Sequence, residues 1–196
     1  MAPGETDLLT HNPWVARRAL TVAEYHRMGE AGILTKDDRV ELIEGQLIAM
    51  SPIGSAHSGT VNTLTRLLVQ VVGDRGVVAV QNPVQLDDRN EPQPDFSVLK
   101  PREDDYSLAT PRPADVLLLI EVADSSLAYD RGFKKSLYAQ HGVAEFWIVD
   151  LVARDVEVCG APEGGHYTLV SRVDRQGILE PRLLPGAAIS AAAFLR

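Results

Sequence analysis

One apolar segment near the middle of the chain carries a carboxylate, and this combination limits the folds that the chain can adopt. Residues 117–124 read Leu-Leu-Leu-Ile-Glu-Val-Ala-Asp, a run with the length and composition of a fully buried β-strand. Because burying an unpaired carboxylate is costly, Glu121 must be paired, protonated, exposed at the end of the strand or bound to a metal ion. The fold has to bring such a partner to this strand.

A second carboxylate, Asp95, begins another apolar segment at 95–99. Pro94 precedes it and fixes the local backbone, which directs the carboxylate rather than leaving it free to move. If the two strands are neighbours, Asp95 and Glu121 can share a hard divalent cation, and Mg²⁺ is the usual partner when phosphate oxygens complete an octahedral shell. The alternative is a buried Glu121 that is paired with an arginine or a lysine.

The composition bounds the class of protein. A chain of 196 residues with 45% hydrophobic residues suits one globular domain with a substantial core. Its single cysteine, Cys159, excludes an internal disulfide and a cysteine-based metal site, which leaves oxygen and histidine ligands. No segment has the roughly 20 apolar residues that a membrane span needs, and the N-terminus does not resemble a signal peptide, so we expect a cytoplasmic protein without membrane association.

The net charge of −8 argues against broad electrostatic adhesion to nucleic acid, but it does not exclude an enzyme that acts on nucleic acid. A local basic surface can coexist with an acidic whole. Arg131, Lys134 and Lys135 form one of the small basic clusters of the chain. The simplest interpretation of this cluster is a solvated surface.

Hydrophobic periodicity predicts a mixed α/β sheet with helices packed on it. Thr21 and Glu24 have the spacing of a capping box, which predicts a short helix from Thr21, and apolar residues at helical spacing predict a long helix over 57–72. The remaining predicted elements are a hairpin at 39–50, strands at 77–80, 84–86, 95–99, 116–123, 145–150 and 154–159, a surface loop at 100–114, a helix at 130–140 and a hairpin at 166–173.

These elements predict one domain with two flanking parts. We expect a lead-in segment over residues 1–20 and the main domain over 21–160. Residues 161–196 are expected to form a peripheral hairpin and a tail of the same domain.

Lys134 has two interpretations from the residues alone. It lies four residues after Asp130 on a predicted helix, which is the spacing of a surface ion pair. Alternatively, its ammonium group points back at the strand end that carries Glu121, where it can orient a water molecule or stabilise charge on a phosphate. His57, which opens the long helix, is likewise either a polar helix-start residue or a catalytic one.

Six short motifs occur in order between residues 20 and 160. They are Glu41-Leu-Ile-Glu-Gly45, Ser51-Pro52 followed by His57, Pro94-Asp95-Phe-Ser-Val98, Ile120-Glu121-Val122, Asp130-Arg-Gly-Phe-Lys134 with Tyr138-Ala139, and Gly142-Val-Ala-Glu145-Phe-Trp147-Ile-Val-Asp150. The ordered set, which is far more specific than any one motif, resembles the Uma2 family. That family, formerly a domain of unknown function, is assigned to the PD-(D/E)XK restriction-endonuclease-like fold.

The resemblance implies a restriction-endonuclease-like mixed central β-sheet flanked by helices, with extra β-hairpins. It implies that Asp95, Glu121 and the backbone carbonyl of Val122 hold Mg²⁺, with Mn²⁺ as a substitute. Ala123 stands where the usual lysine of this fold would be, and the resemblance makes Lys134 its substitute.

Two further residues complete the set of candidate catalytic residues. The resemblance implies that Glu41 can supply another carboxylate from the hairpin. His57, in the second motif, is the other candidate.

The leading functional hypothesis is a Mg²⁺-dependent endonuclease that hydrolyses DNA. The alternative is a non-catalytic nucleic-acid-binding or assembly module on the same fold, and a third reading is a small-molecule hydrolase that uses a carboxylate pair. A homodimer is expected, because two sites related by a two-fold axis suit double-strand cleavage, and region 160–196 is the expected interface.

Overall fold

The apolar segment that carries Glu121 forms a strand inside a six-stranded sheet. The computed structural model describes residues 17–35 and 37–195, so residues 1–16 of the predicted lead-in lie outside the described residues. In chain order the helices and strands are α1 (Val22–Glu30), β1 (Val40–Ile43), β2 (Gln46–Ala49), α2 (Ser55–Val72), β3 (Val77–Val80), β4 (Phe96–Leu99), β5 (Val116–Ala123), α3 (127–140), β6 (Glu145–Asp150), β7 (Asp155–Glu163), β8 (His166–Asp174), β9 (Ile178–Leu179) and β10 (Ile189–Ser190).

The strand order in the large sheet is β3-β4-β5-β6-β7-β8. Strands β1 and β2 form a separate hairpin, and β9 and β10 form a separate antiparallel pair. All neighbouring strands of the large sheet are antiparallel except β5 and β6, which are parallel and are joined through the crossover helix α3. The register places Phe96 of β4 opposite Ile120 of β5. Asp95, directly before β4, therefore comes level with Glu121 on the neighbouring strand.

Side chains alternate along β5 between two hydrophobic cores, because successive residues of a strand point to opposite faces. Ile120 and Val122 pack in the core on the α2 side, whereas Leu119 and Ala123 pack in the core on the α3 side. Glu121 shares the face of the second pair. Its carboxylate consequently points at helix α3, which is the element that must supply a partner.

The predicted mixed sheet with flanking helices and an extra hairpin is confirmed. Helix α1 has the predicted capping box, in which the Thr21 side chain accepts a hydrogen bond from the Glu24 backbone N–H while the Glu24 carboxylate accepts from the Thr21 N–H. The long helix α2 ends at the predicted Gly73, which adopts a positive φ of 52°.

Residues 84–86 do not form the predicted strand, and that prediction was wrong. Val84 and Leu86 are buried, as the pattern indicated, but their N–H groups donate to the carbonyls of Pro92 and Asn90 within one irregular turn. Pro83 and Pro92 flank this segment and cannot donate to a ladder, so a regular strand is disfavoured there.

Helix α3 begins earlier than predicted and is not uniform. It has a short α-helical turn at Leu127–Tyr129, a π-helical turn at Asp130–Lys134 and an α-helical end at Lys135–Gln140. A π turn inside an α-helix is uncommon and occurs frequently at functional sites. This turn contains Lys134.

Strand β8 pairs with β7 along its length and forms one edge of the large sheet. Across the described ranges 17–35 and 37–195, none of the helices combines the length and the apolar character that crossing a bilayer requires.

Candidate active site

A cleft of about 370 Å³ lies where β5 ends, between the β1-β2 hairpin, the start of α2 and helix α3. The structure brings together the six residues that were named above as candidate metal ligands or catalytic residues. Those lining the cleft are Glu41, His57, Asp95, Glu121, Val122 and Lys134.

Asp95 is held in place by three hydrogen bonds. Its Oδ2 accepts from the Val122 backbone N–H at 2.8 Å and contacts His57 Nε2 at 3.0 Å, while its Oδ1 accepts from Gln81 Nε2 at 3.2 Å. Burial alone would raise the pKa of Asp95, but the bonds from His57, Val122 and Gln81 outweigh it and lower the pKa. Asp95 is therefore a fixed carboxylate anion.

Glu121 receives its partners from helix α3, as the sheet geometry requires. Its Oε1 accepts hydrogen bonds from Lys134 Nζ at 2.9 Å and from the Tyr138 hydroxyl at 2.8 Å. The two donors are four residues apart on the helix and so lie on one face. The carboxylate is only 5% exposed, so these contacts are made away from bulk solvent.

The charge on Glu121 is not balanced by its surroundings. Burial raises the pKa of Glu121 to about 8; Lys134 opposes that shift, whereas the charges of Asp95, Asp130 and Glu41 add to it. A proton or a cation is therefore needed to make this position electrically stable at neutral pH.

Lys134 is buried and is shared by two carboxylates. Its Nζ lies 2.9 Å from Glu121 Oε1 and 3.4 Å from Glu41 Oε2. Burial disfavours the ammonium form, but the charges of Glu121, Glu41 and Asp130 outweigh it and raise the pKa of Lys134. The interpretation of Lys134 as the surface partner of Asp130 was wrong, because the Asp130 carboxylate instead accepts from the Ser126 hydroxyl at 2.6 Å.

The surroundings of Ala123, which stands where the usual strand lysine would be, explain why the lysine comes from the helix. Ala123 is fully buried in the core on the α3 side. A lysine there would have to displace packed apolar side chains. Lys134 reaches the same carboxylate from the helix without disturbing that core.

The cleft has an excess of negative charge. Four buried acidic side chains line it, Glu41, Asp95, Glu121 and Asp130, and Lys134 is the one buried base in the described part of the chain. Such an arrangement favours a cation.

The atoms that Asp95, Glu121 and the Val122 carbonyl offer to a metal ion are all oxygens. Asp95 and Glu121 lie side by side, and the Val122 N–H points at Asp95. Since the N–H and C=O of one strand residue point to the same side, the Val122 carbonyl also faces Asp95, beyond the end of β4. No three histidine, cysteine or acidic side chains converge as a metal cage among residues 17–35 and 37–195. Two carboxylates and a carbonyl suit Mg²⁺, which usually keeps several waters.

Two residues that contact Asp95 or Glu121 escaped the sequence analysis as contributors to the site. Tyr138 occurs in one of the six motifs but received no role, although its spacing of four from Lys134 could have marked it as a second donor to the same acceptor. Gln81 follows β3 in a left-handed conformation, φ 53°, and nothing in the sequence pattern connects it with Asp95.

Comparisons with known proteins agree with this arrangement. A family model described as "Uma2: Putative restriction endonuclease" matches residues 22–192. The fold is similar to the crystal structure of "a putative nuclease belonging to DUF820 from Anabaena variabilis", with a TM-score of 0.71 and 18% identity over 90% of this chain and 97% of that chain. Together with the family match, this likeness confirms the predicted restriction-endonuclease-like fold. No functionally curated protein matches the chain.

Proposed function

Because this chain belongs to the Uma2 family, we propose that it is a Mg²⁺-dependent endonuclease that hydrolyses phosphodiester bonds of DNA. One observation carries the proposal: Asp95, Glu121 and the Val122 carbonyl meet at a cleft in which Lys134 contacts Glu121. The family description supports the reaction class, since restriction endonucleases cleave DNA.

The Mg²⁺ ion would be held by the carboxylates of Asp95 and Glu121 and by the Val122 carbonyl. When bound there, it would supply Lewis-acid activation of a water molecule and neutralise charge on the phosphate. The protein's part is to fix these ligands: His57 and Gln81 orient Asp95. Orienting contacts of this kind often matter nearly as much as the ligands themselves.

Lys134 acts as a donor rather than as a base in this proposal. Its pKa is raised, so the side chain stays an ammonium ion at neutral pH and cannot accept a proton from water. Instead, it can hold the attacking water or stabilise the negative charge that develops on the phosphate oxygens. Glu41, 3.4 Å from the ammonium, fixes its position from the hairpin side.

A non-catalytic nucleic-acid-binding or assembly module is the second candidate function. The net charge of −8 and the engagement of the basic residues beside the cleft favour the assembly form of this module over nucleic-acid binding. Arg131 and Lys135 both contact the buried Glu157 and are not free to meet phosphates without breaking those ion pairs.

A homodimer remains the proposed assembly, because two copies related by a two-fold axis can cut both strands of a duplex. The proposed interface lies in the region 160–196. Strand β8 in that region is an edge strand, and its side chains Leu169 and Val170 are each 50% exposed. Light scattering on the purified protein tests this assembly.

Cleavage of a supercoiled plasmid tests the catalytic proposal. We expect nicking or linearisation that requires Mg²⁺ or Mn²⁺ and that is lost in Asp95→Ala, Glu121→Ala and Lys134→Ala. Lys135→Ala is the matched control, since it removes the neighbouring lysine that contacts Glu157 instead of the cleft.

Two results would overturn the catalytic proposal. One is cleavage that needs no metal ion and survives all three substitutions. The other is absence of cleavage together with a gel shift of DNA that persists in Glu121→Ala, which is the outcome expected of the binding module.

A further inference from the structure

Two tyrosine hydroxyls are buried without a hydrogen-bond partner in the described part of the chain, those of Tyr129 and Tyr167. An unsatisfied buried hydroxyl costs about 1–3 kcal/mol, so each calls for an explanation. Their surroundings differ. Tyr129 lines the cleft, whereas Tyr167 lies on β8 among core residues of the α3 side and does not line it.

The ring of Tyr129 is fixed on helix α3. It stacks on Phe133, with 5.5 Å between ring centroids and 4° between the ring planes. The Lys134 ammonium lies 5.7 Å from the centroid of the same ring. These contacts restrict the ring. The hydroxyl consequently cannot swing out to solvent without giving up the stack.

The hydroxyl of Tyr129 is available as a donor. Burial raises the pKa of Tyr129 to about 12, and the charge of Glu41 adds to the shift, so the phenol stays protonated at neutral pH. Glu41 Oε2 has partners of its own, because it accepts from the Gln93 N–H at 3.2 Å and lies 3.4 Å from Lys134 Nζ. None of the described acceptors lies within hydrogen-bond distance of the Tyr129 hydroxyl.

We propose that Tyr129 is a substrate-binding residue whose hydroxyl donates a hydrogen bond to a non-bridging phosphate oxygen of the strand that is cut. The inference rests on the proposed function and extends it, because it assigns a donor outside the carboxylates and the lysine. A phosphate is the group that fits: it carries only acceptor oxygens, and Lys134 beside Tyr129 offers it a positive charge. Binding of substrate then satisfies a hydroxyl that is unsatisfied in the free protein.

The chain offers a matched pair of substitutions for the test. Tyr129→Phe and Tyr167→Phe each delete one unpartnered buried hydroxyl and keep the ring. We expect Tyr129→Phe to slow metal-dependent DNA cleavage by about 10- to 100-fold, the loss typical of a hydrogen bond to a charged group. Tyr167→Phe should stay within about twofold of the wild type. Both variants should melt at or above the wild-type temperature, because neither loses a hydrogen bond.

Phosphorothioate substrates give a readout that a structural role would not move. Replacing one non-bridging oxygen at the cleaved phosphate by sulfur weakens a hydrogen bond to that position. For one of the two diastereomers we expect the wild type and Tyr167→Phe to be slowed by sulfur, and Tyr129→Phe to be slowed clearly less. Equal sulfur effects in all three proteins, with wild-type cleavage intact, would overturn the inference and leave the nuclease proposal standing.

Oligonucleotide binding with Ca²⁺ in place of Mg²⁺ separates the two proposals further. If the wild type cleaves nothing with Mg²⁺ or Mn²⁺, the nuclease proposal fails. The Tyr129 inference then stands only if Tyr129→Phe binds the oligonucleotide at least about threefold more weakly than both the wild type and Tyr167→Phe. Equal binding, or no binding by the wild type, would overturn it.

Discussion

Two buried glutamates lie in the same row of the sheet and on the same face, yet their surroundings are opposite. Glu121 on β5 is opposite Ile148 on β6, and Ile148 is opposite Glu157 on β7, so the two acids are about 10 Å apart across one intervening strand. They are 5% and 4% exposed, respectively. Helix α3 crosses both.

Glu157 is a balanced ion-pair centre. It accepts from Lys135 at 2.7 Å and from Arg131 at 2.8 Å, and Arg172 of β8 lies 3.4 Å away. Burial acts to raise the pKa of Glu157, but these cations outweigh it and lower the pKa. For Glu121 the balance goes the other way, and its pKa is raised to about 8.

The difference teaches how to separate a structural carboxylate from a functional one in this fold. Both side chains have almost no solvent-exposed surface, so exposure alone does not separate them. In the proposed function the functional carboxylate is the one whose neighbours leave it short of positive charge, because a bound cation can fill that deficit. Five predictions test this contrast.

The largest expected effect is on DNA cleavage, which should be lost when Glu121 is substituted and kept when Glu157 is substituted. Glu121→Gln should lower the DNA cleavage rate by about 10³-fold or more, since it removes a proposed metal ligand. Glu157→Gln should leave the rate within about threefold, because Glu157 does not line the cleft. Plasmid cleavage time courses measure both.

The same two substitutions should rank in the opposite order when the free energy of unfolding is measured. Without metal, Glu121→Gln should leave the free energy of unfolding unchanged or higher, since it removes an uncompensated buried acid. Glu157→Gln should lower it by about 2 kcal/mol, because three cations lose their shared acceptor. Equal losses in urea denaturation would contradict the distinction between the two acids.

The next effect concerns two adjacent lysines that helix α3 directs to the two acids. Lys134→Met should reduce cleavage by about 10²-fold or more. It should also lower the free energy of unfolding by about 3 kcal/mol near pH 8, because Glu121 and Glu41 lose their shared cation. Near pH 5 the loss should be smaller, since these acids can take up protons. Lys135→Met should leave cleavage unchanged, and a Lys135→Met protein without activity would refute the assignment of Lys134.

Mg²⁺ should stabilise the protein in a pH-dependent way. The raised pKa of Glu121 means that its contribution to metal-free stability is fully present below the unfolded value of 4.5 and is lost as the pH rises through about 8. Mg²⁺ competes with that proton, so saturating Mg²⁺ should raise the melting temperature more at about pH 9 than at about pH 6.5. Glu121→Gln should abolish the difference, and Glu157→Gln should preserve it.

The smallest effect is expected at His57. The hydrogen bond to Asp95 raises the pKa of His57 against the opposing effect of burial, so this pair stabilises the protein fully below pH 6.5 and less as the pH rises through the folded-state pKa. His57→Leu should therefore cost about 1 kcal/mol near pH 5.5 and less near pH 8.5. A loss that grows with pH would contradict the assignment of this bond.

The sequence was most informative where burial is continuous. The apolar run of β5 predicted its strand, because a strand buried on both faces needs no alternation of apolar and polar residues. The apolar residues of α2 recur at helical spacing because one face of that helix is buried, and this spacing predicted the helix. Pairing Asp95 with Glu121 required only that the two strands be neighbours, and they are.

The sequence was least informative about long-range ion pairs. Arg131 and Lys135 were interpreted as part of a solvated basic cluster, and that was wrong: both contact Glu157, more than 20 residues away in the chain. Lys134 of the same cluster is buried in the cleft. Which side chain each cation meets depends on the π turn and on the order of the strands, and neither has a local signal.

The most direct test of the central claim is a crystal structure of the protein with Mn²⁺, in which anomalous scattering locates the ion. The account predicts one Mn²⁺ ion about 2.2 Å from carboxylate oxygens of both Asp95 and Glu121 and from the Val122 carbonyl, with no ion at Glu157. Mn²⁺ bound elsewhere, or no Mn²⁺ between these two carboxylates at saturating concentration, would contradict it.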